Sequence, residues 1–164
     1  MLDIDGVLAT LIQFNVNPKK WCPLYNSYLF DAKCVKVFNE IIEATNPIVV
    51  LSSDWKNEYD LNMLNQIFAV NNINCTISDI TPNHWGTLFK SLSELENCRA
   101  SEILEYVKTN NVQHYVAVDD LNLSNFLPDE NFVRTPRALE GIKQTGIKDK
   151  IINKLNQFQN GKNN

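Results

Sequence analysis

The chain lacks most of the features that would carry it into a membrane or out of a cell. It has no run of about 18 apolar residues, and it opens on acidic residues rather than on a basic-then-apolar leader. A soluble, cytoplasmic protein with no membrane partner is the expectation. Cysteine is sparse: Cys22, Cys34, Cys75 and Cys98 stand far apart with no Cys-x-x-Cys pair, which signals neither a zinc site nor a disulfide framework. Histidine is sparser still. His84 and His114 have no His or Cys beside them, so both read as packing or surface residues. No internal repeat occurs, and no linker is long enough to divide the chain.

What is present is a chain of 164 residues with 44% apolar side chains, enough for one proper core. We expect a single domain over residues 1–158 and a polar, frayed tail over 159–164. The formal charge of -4 conceals an asymmetry: residues 1–133 carry 8 Lys/Arg against 17 Asp/Glu, whereas residues 134–164 carry 7 against 2. The basic end reads either as solvated lysines on a helix face or as a flank that guides an anionic substrate. At a pI of about 5.1, non-specific binding of nucleic acid by the whole surface is not expected.

Apolar runs alternate with helical patterns. Asp31 can cap a helix that buries Val35, Phe38, Ile41 and Ile42 and ends at Asn46-Pro47. Ile48 to Leu51 is a fully apolar strand of the kind found in buried parallel sheets. A second helix carries Leu61, Leu64, Ile67 and Phe68, and a strand follows around Cys75 to Ile80. Residues 81–98 read as irregular, with a helix starting near Arg99 and placing Ile103, Leu104 and Val107 on one face. A strand from His114 to Val118, a short one around Phe132-Val133 and a last amphipathic helix from Ile147 to Phe158 complete the pattern. Such alternation implies a mainly parallel sheet covered on both faces, with ligands gathering at the carboxyl ends of its strands.

The polar motifs fall at those ends. Asp3 and Asp5 follow directly on Met1-Leu2, and they would share a face if the strand ran through both. Two carboxylates that close raise each other's pKa unless a cation sits between them, and Gly6 lets the backbone turn sharply there. Ser52 and Ser53 end the Ile48 strand; Asp119 and Asp120 end the His114 strand. Only two residues precede Asp3, so the first strand is expected to be very short. Asp54 and Asp79 read as caps. Trp21, Trp55 and Trp85 read as loop anchors more readily than as a wall for a base or sugar.

The order Asp3-x-Asp5-Gly6-Val7, a strand ending in Ser52, a basic residue and a strand ending in Asp119-Asp120 resembles the haloacid-dehalogenase-like (HAD) phosphohydrolases. The Leu51-Ser52-Ser53-Asp54-Trp55-Lys56 stretch is similar to a capless subgroup found in RNA-repair fusion proteins, where Trp-Arg often stands in place of Trp55-Lys56. The resemblance implies a three-layer α/β/α, Rossmann-like fold. It implies Asp3 as nucleophile, Asp5 as general acid and base, and Ser52 holding a phosphoryl oxygen. Mg2+ would be held by Asp3, the Asp5 carbonyl, Asp119 and Asp120. A lysine usually completes this set. Here Arg99 stands in the matching place, with Lys90 and Lys56 in reserve and Ser53 beside Ser52 as a further substrate contact. The intervals Val7 to Leu51 and Ser53 to Cys98 are too short for a large cap, and an open site suits a phosphorylated macromolecular end such as a polynucleotide terminus. A metal-dependent nuclease with an acidic cluster, or a non-catalytic module that binds phosphate or a partner, are the alternatives.

Overall fold

The structure, a computed structural model, describes residues 1–10, 21–25, 27–84, 89, 91–137 and 139–160. Lys90, Trp85, the side chain of Phe158 and residues 161–164 of the expected tail lie outside the described residues. Beyond residues 1–10, the described elements start with a two-stranded antiparallel hairpin, β1 (Trp21–Cys22) and β2 (Ser27–Tyr28). There follow α1 (Ala32–Thr45), β3 (Val49–Leu51), α2 (Leu61–Val70), β4 (Ile77–Ile80), α3 (Leu92–Thr109), β5 (Ala117–Asp119), β6 (Phe132–Arg134) and α4 (Ile147–Asn160). The fold is a mixed α/β domain with parallel strand pairs, and no cap domain is present among the described residues.

Local chemistry accounts for the helix ends. The Asp31 carboxylate accepts from the backbone N–H of Lys33 and Cys34 at the start of α1, and Asn46 closes that helix in the left-handed region at φ 42°. Asp60 caps α2 through the Met63 N–H at 2.8 Å. Helix α3 starts at Leu92 rather than near Arg99, because Ser91 accepts from the Glu94 N–H at 3.2 Å. Its first turns are polar and its Leu92 is exposed, so apolar periodicity does not reveal them. Its inner face also differs from the expected one. Arg99, Ala100, Glu102 and Ile103 are buried, while Leu104 points outward. At the other margins, Ile48 is exposed and outside β3, and α4 continues through Gln159 and Asn160.

Strand β3 pairs in parallel with β4, and β5 with β6. Residues 1–3 join the two pairs, since Leu2 bridges both Leu51 and Val118. Its N–H reaches Val50 O at 2.9 Å and its carbonyl accepts from Ser52 N at 2.9 Å. On the other side Asp3 N reaches Val118 O at 3.0 Å and Val118 N reaches Met1 O at 3.0 Å. The very short first strand thus sits centrally, in the order β4, β3, residues 1–3, β5, β6. Alternate residues face opposite sides. Leu2, Val118 and Val133 enter the core shared with α1, α2 and α4, while Ala117 and Phe132 enter a second core with Ala100 and Ile103 of α3. At the amino ends of the strands lies a mainly apolar cavity of about 610 Å³ that includes Phe38, Ile41, Val116 and Ile151.

The basic C-terminal stretch is largely tied into the fold. Lys143 pairs with Asp31, Lys148 with Glu40 at 3.0 Å, and Lys154 with Asp129 at 3.3 Å. Arg134 donates to the Asp120 carbonyl at 3.0 Å, and Arg137 pairs with Glu140 at 3.0 Å. These charges fasten α4 and its approach to the acidic remainder, which weakens the idea of a guiding flank.

Candidate active site

The chain turns immediately after Asp3. The Ile4 carbonyl accepts from Val7, Leu8 and Ala9 N–H at 3.2, 2.8 and 2.9 Å, so the strand does not run on through Asp5. The two acids therefore do not share a strand face: Asp3 is buried and Asp5 lies exposed at the mouth. Gly6 makes the turn at φ 68°, and a Cβ there would lie 2.5 Å from Asp120 Oδ2. The turn and the Asp120 carboxylate thus need each other's space.

Carboxylate oxygens of Asp3, Asp119 and Asp120 lie within 4.8 Å of one another. The α3 helix aims Arg99 into this cluster. Its Nη1 donates to Asp3 Oδ1 at 3.0 Å and to Asp119 Oδ2 at 3.1 Å, and its Nη2 donates to Asp54 Oδ1 at 2.6 Å. Burial raises the Asp3 pKa, against the lowering pull of Arg99 and the nearby Ser53 hydroxyl. Burial and then the Asp3 charge raise Asp119 well above the ordinary value. Asp5 is pushed up to about 6 by desolvation and the Asp3 charge, and Asp120 to about 6 by the same two causes. Desolvation opposes the charge on Arg99, yet Asp3, Asp119 and Asp54 outweigh it and hold the guanidinium above its usual pKa.

Ser52 and Ser53 are both buried, and neither hydroxyl makes a hydrogen bond of normal geometry among the described residues, although Ser53 is near enough to Asp3 to favour its ionised form. Buried polar atoms are rarely left so, and an oxygen-rich ligand would satisfy them. Lys56 is turned to other work. Its ammonium donates to Glu102 Oε2 at 2.5 Å, Thr81 Oγ1 at 2.9 Å and the Pro82 carbonyl at 2.8 Å. Of the expected residues, Asp3, Arg99, Asp119 and Asp120 come together, with Asp5 at the mouth and the two serines at the end of β3.

Three further residues lie in or beside the site. Asp54, read from sequence as a cap, instead accepts from Arg99. Trp55, read as a loop anchor, donates its indole N–H to Asp5 Oδ2 at 2.8 Å. Glu102 holds Lys56 and lies 3.9 Å from Arg99 Nε. Asp54 and Trp55 sit in the short 3-10 helix Asp54–Asn57 immediately after Ser53, and that adjacency was the available signal. Asp79, by contrast, accepts from Tyr106 OH at 2.9 Å, and His84 faces Glu105 at 2.7 Å.

The donor set suits a hard cation: carboxylate oxygens whose mutual repulsion one guanidinium only partly offsets. These three aspartates can hold a metal ion. Comparisons with curated proteins and with solved structures each found no match. The family model described as the HAD domain in Swiss Army Knife RNA repair proteins matches residues 1–145. With its acidic cluster at the carboxyl ends of a parallel sheet and that match spanning most of its length, the chain belongs to this family of HAD domains.

Proposed function

We propose that the protein is a magnesium-dependent phosphatase that acts through an aspartyl-phosphate on Asp3, with the phosphorylated end of a polynucleotide as its substrate. One observation carries this reading: a buried carboxylate on Asp3, held by Arg99 and set beside Asp119 and Asp120, with the buried Ser52 and Ser53 hydroxyls, neither in a hydrogen bond of normal geometry among the described residues, at the adjoining strand end. The membership of the family and the lack of a cap among the described residues support it.

In the first step Asp3 forms a bond to phosphorus while the ester P–O bond breaks, and Asp5 gives its proton to the leaving alcohol. In the second, Asp5 takes a proton from water, whose oxygen attacks the same phosphorus and releases inorganic phosphate and free Asp3. Desolvation raises the Asp5 pKa above the ordinary carboxylate range, the direction that a group giving and taking a proton needs. Ser52, with Ser53 beside it, donates to phosphoryl oxygens. Arg99 supplies the fixed positive charge that a lysine usually provides, and its planar fork aligns Asp3 while facing the transferred group. Mg2+, held by Asp3, Asp119, Asp120 and the Asp5 carbonyl, would neutralise the carboxylates and the charge of the phosphoryl group. Lys90, outside the described residues, stays a candidate substrate contact, and Lys56 lies behind Glu102.

A phosphate-release panel tests the reading: sugar phosphates, nucleotides, phosphopeptides and end-phosphorylated oligonucleotides, each with and without magnesium. Metal-dependent release that is fastest from oligonucleotide ends is expected. Preference for a small sugar phosphate would overturn the substrate assignment. Internal strand cleavage without phosphate release would favour the nuclease, and no turnover of any kind would favour a binding module.

A further inference from the structure

We infer that Trp55 is a positioning residue that decides which oxygen of Asp5 carries the catalytic proton. The inference rests on the phosphatase reading, in which Asp5 is the acid. The indole nitrogen donates to Asp5 Oδ2 at 2.8 Å, and among the described residues Oδ1 accepts no hydrogen bond. An indole N–H only donates. It needs an acceptor in either protonation state of Asp5, and a carbonyl oxygen accepts more strongly than a hydroxyl oxygen, so the bond favours the acid form with its proton on Oδ1. Among the described residues no other hydrogen bond fixes this carboxyl group, so without the indole its proton would be shared between two oxygens.

Trp55 is well placed to impose such an orientation because three other rings restrain it. Its centroid lies 5.5 Å from those of Tyr25 and Phe30, at interplanar angles of 55° and 77°, and 5.7 Å from that of Tyr59. Tyr25 and Phe30 are themselves buried. Tyr59 closes the group by donating its hydroxyl to the Tyr25 carbonyl at 3.1 Å. Phe30 is anchored by its backbone N–H, which reaches Asn71 Oδ1 at 2.6 Å. The cluster holds the ring, and the ring holds the acid.

Trp55→Phe keeps an aromatic ring in the cluster and removes only the donor. The quantity to measure is kcat/KM, which reports formation of the phospho-enzyme, on an alkyl phosphate that needs a protonated leaving group and on an aryl phosphate that needs little protonation. The loss on the alkyl ester should exceed the loss on the aryl ester by about tenfold or more, a part of the usual contribution of a general acid. The bond itself is read by NMR. The Trp55 indole N–H resonance, assigned by its disappearance in Trp55→Phe, should shift and exchange faster with solvent in Asp5→Ala. Equal losses on both esters with an active wild type would overturn the inference while leaving the phosphatase reading intact, as would an indole resonance indifferent to Asp5→Ala. A wild type that hydrolyses neither ester in magnesium would remove both.

Discussion

Two buried cations lie at helix α3, Lys56 paired with its Glu102 and Arg99 projecting from it, and their surroundings differ in kind. Lys56 faces one close carboxylate, Glu102, and its other donors go to Thr81 and the Pro82 carbonyl, so its charge and hydrogen bonds are balanced. Arg99 faces Asp3, Asp119 and Asp54, with Asp120 and Asp5 close by, so negative charge is in surplus. A balanced pair is complete as it stands and serves the scaffold. A surplus of buried carboxylates is stable only with protons or with a further cation, and such perturbed clusters are where function concentrates. The difference separates the parts of the molecule that hold shape from those that await a ligand.

Substitutions at the two centres should therefore fail in different assays. The largest effect is expected for Asp3→Asn, which should lower magnesium-dependent hydrolysis by on the order of 10⁴-fold or more with an unchanged circular dichroism spectrum. Lys56→Met should act through stability, because it strands Glu102 in the interior. We expect about 3–5 kcal/mol lost in urea unfolding, with part of it restored when Glu102→Leu is added. If Lys56→Met instead spared stability and removed activity, Lys56 would belong with Arg99 and the contrast would collapse.

Magnesium should sharpen the contrast. Binding to the folded state alone stabilises by about 2.7 kcal/mol at a hundred times Kd, so millimolar magnesium should raise the Tm of the wild type and of Lys56→Met alike. The rise should vanish in Asp119→Asn or Asp120→Asn, as measured by scanning calorimetry.

The smallest effect concerns a peripheral pair, Lys143 with Asp31. Burial alone would raise the Asp31 pKa, but Lys143 and the Lys33 and Cys34 N–H groups outweigh it and hold the carboxyl below its ordinary value. A lowered folded pKa stabilises above the unfolded value, and that contribution is lost as pH falls through the folded one. Lys143→Met should cost about 0.5–1 kcal/mol at pH 7. The difference from wild type should narrow as pH drops below about 4, and urea titrations at several pH values would show it.

The alternation of strands and helices was legible because β3 and β5 follow or end apolar runs and each helix but one has an apolar face. The exception is instructive. Helix α3 buries Glu96, Arg99 and Glu102, so its inner face is written in charges and apolar periodicity misplaced its start. The acids at the strand ends were legible for the same reason that the strands were, since Asp3 and Asp119 stop apolar runs. Asp54, Trp55 and Glu102 were not, because their roles depend on where Arg99, Asp5 and Lys56 arrive from 45, 50 and 46 positions away. Nor does composition reveal that the basic C-terminal residues are spent on Asp31, Glu40 and Asp129.

In the proposed phosphatase, the carboxylates around Arg99 serve to make Asp3 a nucleophile towards phosphorus. The most direct test of that role is acid quenching of the wild type during turnover of an aryl phosphate in magnesium, followed by mass spectrometry of the peptide that contains Asp3. One added phosphoryl group on Asp3 is expected, which decays on further incubation, requires magnesium and is absent in Asp3→Asn. Turnover with no phosphoryl group on Asp3, or a label that persists in Asp3→Asn, would contradict it.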